Sequence, residues 1–183
     1  ASQALLLNQF QSFAFEVDDL EKAQSVDGGK VLSTQLQRAA YGLANVLDAY
    51  VLTAMGTGAS ASAPDHQIAE ATISTASDAY DAMVDWSVLL DESDVPEQDR
   101  FVVVTPAFYG KVLKDSRFIA AGDSAGSVAR ANGRVGQAAG FEVFKSNNLP
   151  DGPGAGAGKS MIAGSRSATT LAEQVRSVEA ARM

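Results

Sequence analysis

Cysteine is missing from all 183 residues, which excludes a disulfide framework, an iron–sulfur cluster, a zinc–thiolate site and a cysteine nucleophile. Histidine occurs once, at His66, so no pair of imidazoles can form a metal site. Aromatic residues are only 7% of the chain and charged residues only 20%. The large side chains that fill a core are therefore thinly spread. Positive charge is also short: 14 Lys and Arg stand against 22 Asp and Glu, leaving a net charge of −8. Such a chain is a poor non-specific nucleic-acid binder, because that affinity comes mainly from neutralised phosphates. No apolar run approaches the roughly 20 residues of a membrane helix, and no membrane partner is expected.

Small residues are abundant instead. Alanine and glycine together supply 48 positions, which suits an extended molecule better than a thick globule. In Phe13-Ala14-Phe15-Glu16-Val17 alternate apolar side chains share one face, the period of a strand. Leu5, Leu6, Leu7 and Phe10 lie just upstream. An apolar stretch of this kind calls for a partner strand, in a hairpin or from another chain. Asp18-Asp19-Leu20-Glu21 reads as a capping box opening a short helix that Gly28-Gly29 closes.

Val31 to Met55 carries the strongest helical signal. Leu32, Leu36, Ala39, Leu43, Val46, Tyr50 and Thr53 follow alternating steps of four and three, and Leu47, Val51 and Ala54 widen the stripe. At 1.5 Å per residue this helix is nearly 40 Å long, a spine. A two-stranded coiled coil is the rival reading, weakened by Ala39 and Tyr50 at the seam. The Gly/Ala/Ser composition of 56–64 predicts a flexible loop.

A second helix is expected from about Ala76 to Asp91, capped by Thr75 and Asp78, with Ala76, Tyr80, Met83, Val84 and Leu90 inward. Phe101 to Val104 reads as a buried strand, and Thr105-Pro106 as N-cap and first residue of a third helix reaching about Asp115. Residues 122–133 are small and polar, with Asn132-Gly133 as a turn signal. Phe141 to Phe144 alternates as a strand, residues 151–158 form a Gly/Pro/Ala loop, and Met161-Ile162-Ala163 is a strand candidate. The last twenty residues fit strand or helix equally. Without a repeating βαβ rhythm, the fold class is α+β around a small mixed or antiparallel sheet.

Pro153 to Ser160 comes close to a phosphate-binding loop. The motif requires Gly at 153, a strand immediately before and a helix starting at Lys159. None of the three is expected here, so residues 154–160 read as a surface loop. His66 follows Pro64-Asp65 beside another small-residue loop and lacks the rigid partners a catalytic base needs. Asp91, Glu92, Asp94, Glu97 and Asp99 lack calcium-loop spacing and read as a solvated helix end. Lys111, Lys114, Arg117, Arg130 and Arg134 concentrate positive charge, with ion pairing to nearby acids as its expected use. No constellation supports catalysis, and no cofactor or metal is expected.

The order of segments says more than any motif. Phe13 to Asp19 and Lys22-Ala23-Gln24 precede a long helix containing Gln37-Arg38-Ala39-Ala40-Tyr41. Then come Arg100 to Pro106, Tyr109-Gly110, Leu113-Lys114-Asp115 with Arg117-Phe118, Asn132-Gly133, Val135-Gly136, Ala139-Gly140-Phe141 and Ser146 to Pro150. This series resembles the major capsid protein family of tailed bacteriophages, with the Hong Kong 97-type fold, over nearly the whole chain.

The resemblance implies a role for each segment. Residues 1–17 would be the return strand of an extended loop that reaches over a neighbouring subunit. Residues 18–72 would form a peripheral domain with its spine helix at 31–55, residues 73–160 an axial domain, and 161–183 strands returning toward the peripheral domain. Leu6, Phe10, Phe13 and Phe15 would meet another subunit. The partners implied are copies of the chain itself in pentamers and hexamers, scaffolding and portal proteins, and double-stranded DNA enclosed without specific binding. The place implied is the virion, assembled in the bacterial cytoplasm. The N-terminal arm, the outgoing half of the extended loop and the closing C-terminal segment of the family are not recognisable, so the chain is expected to be a fragment or the ordered part of a longer protein. Some members cross-link through a lysine in the extended loop; residues 1–15 contain none. Alternatives are an encapsulin-like compartment shell, a prophage remnant, and a nucleotide-binding enzyme using Gly154 to Ser160.

Overall fold

The computed structural model describes residues 9–16, 30–62, 73, 75–115, 136–152 and 158–174. Its elements, in order, are α1 (Val31–Ser62), α2 (Ala76–Glu92), β1 (Arg100–Val104), α3 (Pro106–Lys114), β2 (Gln137–Ala138), β3 (Phe141–Lys145) and β4 (Ile162–Ser165), followed by a 3₁₀ turn (Arg166–Ala168). Two compact units divide the chain. One comprises Ala1–Ala44 and Thr169–Met183; the other is Asn45–Ala168. The boundary falls inside α1.

The larger unit is built on a four-stranded mixed sheet in the order β2-β3-β1-β4. β1 runs parallel to β3, with Phe101 opposite Glu142 and Val104 opposite Lys145. It runs antiparallel to β4, with Arg100 opposite Ser165 and Val103 opposite Ile162. Parallel neighbours need a crossover, and α3 lies within it. Every residue of β1 is buried, as expected for a central strand covered on both faces. Val102 and Val104 point to one face, where Ala79 and Met83 of α2, Phe108, Tyr109 and Val112 of α3, and Phe141 and Val143 of β3 join them. Phe101 and Val103 point to the other, against Leu52 of α1, Leu149 and Ile162. Fully burying each such side chain stabilises by about 1.5–3 kcal/mol.

Helix ends follow the chemistry that the sequence advertises. Thr75 caps α2 through a complete capping box: its Oγ1 accepts from the Asp78 amide at 3.3 Å, and Asp78 Oδ2 accepts from the Thr75 amide at 2.7 Å. Thr105 caps α3 by accepting from the Phe108 amide at 3.2 Å, with Pro106 in the first turn. α2 ends in a Schellman arrangement. The Val95 amide donates to Leu90 O and the Asp94 amide to Asp91 O, both at 3.0 Å. Asp94, with φ of 55°, occupies the left-handed position usually given to glycine.

Several expectations are corrected. Residues 9–16 adopt no regular secondary structure in the single chain; a ladder needs a partner strand beside it, and the expected pairing with another chain belongs to the assembly. Val17 and the short helix expected after it lie outside the described residues. α1 does not stop at Met55 but continues through Gly56 and Gly58 to Ser62. Gly56 serves packing rather than termination, since a Cβ there would stand 3.1 Å from Pro150 Cγ. Thr53 and Thr57 donate their hydroxyls to Ala49 O and Thr53 O one turn back, which keeps both threonines compatible with the helix. The inward face of α2 is Ala79 and Met83, with Ala82, Trp86 and Leu90 packed against the core; Val84 faces solvent. The tight hairpin joins β2 to β3 at Ala139 and Gly140, both with positive φ (49° and 82°). The Asn132-Gly133 signal lies outside the described residues.

Candidate functional site

α1 is attached to the sheet by a few residues spaced one turn apart. Leu52 is buried against Phe101, Val103, Leu149 and Ile162, with Met55 packed beside it. Above them a polar clamp holds the segment after β3. Asn148 Nδ2 donates to Asn45 Oδ1 at 2.8 Å and to Asp48 Oδ2 at 2.9 Å. Ser146 Oγ donates to the same Asp48 oxygen at 3.2 Å and accepts from the Asn148 amide at 3.1 Å. Asn45, Asp48, Leu52 and Met55 therefore mark the packed face of the helix.

Val46 and Tyr50 lie on the opposite face by helical geometry, and both are more than 40% exposed. Leu36 and Tyr41 of the other unit are exposed as well, Tyr41 to 76%. The apolar stripe that identifies the helix in the sequence is thus not the face that packs on the sheet. Leu32, the first member of the stripe, has no described side-chain environment.

The proposed contact residues are also uncovered. Phe10 is 76% exposed, and Phe13 and Phe15 are each more than a third exposed. The rings of Phe13 and Phe15 stack on each other, centroids 6.2 Å apart and nearly parallel. Leu6 lies outside the described residues. Val84 and Val88 on α2, Phe144 on β3 and Leu171 complete the large exposed apolar side chains among the described residues. An isolated chain leaves this surface in water at a cost; covered by a neighbour, it becomes a source of association energy.

The features weighed for chemistry are occupied structurally. Asp151 pairs with Lys159 in an antiparallel bridge, and their side chains form an ion pair of 2.8 Å. The Gly152 amide donates to Gly158 O, and the Ser160 amide to Pro150 O. Strand β4, not a helix, follows Lys159 and Ser160, so the helix that a phosphate-binding loop requires at its lysine is not there; residues 153–157 lie outside the described residues. Asp91 is half exposed and pairs with the buried Arg100 guanidinium. Lys111 donates to Ile73 O. His66, Arg117, Arg130 and Arg134 lie outside the described residues. Among the described residues no group of three or more His, Cys, Asp or Glu can hold a metal ion, and no helix is long and apolar enough to cross a membrane.

The fold matches a chain from Mycobacterium phage Che8 with a TM-score of 0.56 at 23% identity, over 76% of this chain and 48% of that one. It matches the capsid structure of the cyanophage P-SCSP1u with a TM-score of 0.57 at 21% identity, over 86% of this chain and 59% of that one. The chain thus spans between about half and three fifths of these solved chains. No curated protein matches. The family model for phage capsid proteins matches residues 6–181, and the α+β fold with a long helix and a small mixed sheet is the one that the resemblance in the sequence implies. The chain belongs to the phage capsid protein family.

Proposed function

We propose that this chain is the shell-forming part of a major capsid protein, whose copies assemble into a closed icosahedral head around double-stranded DNA. The observation that carries the proposal is the family match along nearly the whole chain, joined to exposed apolar side chains on α1 and at residues 10–15. Closed symmetry lets one set of contacts, repeated, limit the growth of a container. The net charge of −8 suits a wall that encloses DNA without gripping it. Residues 1–17 serve as the inter-subunit arm, residues 31–55 as the peripheral spine and residues 73–160 as the axial domain. Scaffolding and portal proteins are further partners, and the protein acts in the virion without catalysis.

Two experiments on the full-length protein test this. Electron microscopy of the expressed protein is expected to show hollow particles of uniform size; a strictly monomeric protein at high concentration contradicts the proposal. Nuclease-protected DNA inside particles from infected cells supports a viral head. A single co-purifying enzyme in place of DNA identifies a compartment shell instead.

A further inference from the structure

We draw no further inference here: the strongest candidate, the outer face of α2 where Val84 and Val88 are exposed beside Asp85 and Glu92, carries no proposal because nothing in the structure shows what covers it.

Discussion

Arg100 Nη2 lies 2.7 Å from Asp91 Oδ1, joining the last turn of α2 to the first residue of β1. The Arg100 side chain is only 3% exposed, whereas the Asp91 side chain is 53% exposed. Arg100 also donates through Nε to Pro96 O at 3.0 Å and through Nη2 to Val95 O. The guanidinium therefore pins the whole turn that starts the central strand, and Asp91 is the most replaceable of its partners. Arg100→Met is expected to destabilise by about 2–3 kcal/mol, because two part-buried carbonyls and the Asp91 carboxylate lose their donor. Asp91→Asn is expected to cost less, about 1 kcal/mol, because the Asp91 carboxylate is half exposed and the guanidinium keeps both carbonyl acceptors. Urea unfolding of both variants checks the order; equal losses would contradict it.

Asp94 holds a left-handed conformation at the end of α2 without the freedom of glycine. Asp94→Gly is expected to stabilise by about 0.5–1 kcal/mol, and Asp94→Val to destabilise by at least as much, because a β-branched residue resists positive φ. Thermal melts of the two variants should bracket the parent chain.

The two glycines near the end of α1 differ in surroundings. A Cβ at Gly58 meets nothing within 4 Å, whereas one at Gly56 meets Pro150. Gly58→Ala is expected to gain up to about 1 kcal/mol from helix propensity. Gly56→Ala is expected to gain clearly less, because Pro150 must shift. Comparable gains would mean that the contact with Pro150 does not constrain the helix.

Core and surface substitutions should separate folding from assembly. Met83→Ala is expected to destabilise the chain by about 2–5 kcal/mol. Val46→Ser with Tyr50→Ser is expected to change stability by about 0.5 kcal/mol or less per site, yet to reduce particle yield severely. Phe13→Ser with Phe15→Ser should behave in the same way. Loss of folding at the Phe pair would place those rings in an internal core.

Much of this was legible in the sequence because local chemistry decided it. The Thr75 and Thr105 caps, the buried run of β1 and the strand at Phe141 each depend on residues close in the chain. The α1 stripe was legible as a helix but not as a direction. Periodicity cannot say whether an apolar face meets the chain's own sheet or something beyond it, and here Leu52 and Met55 on the other side make the internal contact. The hairpin at Ala139 and Gly140 carried no Asn-Gly signal, since the ladder between β2 and β3 imposes the turn. The end of α1 was misread because Gly56 and Gly58 suggest a loop by composition, while the reason for Gly56 is a neighbour nearly a hundred residues away. The surfaces proposed for assembly were visible only as apolar excess; which side chains are exposed required the fold.

The central claim is that the apolar side chains exposed in a single chain are covered by neighbouring copies. Hydroxyl-radical footprinting of the full-length protein, compared before and after assembly, tests it most directly. The account predicts strong protection of Phe13, Phe15 and Tyr50 in particles, with little change at Met83, which is already buried. Equal labelling of Phe13, Phe15 and Tyr50 in free and assembled protein would contradict it.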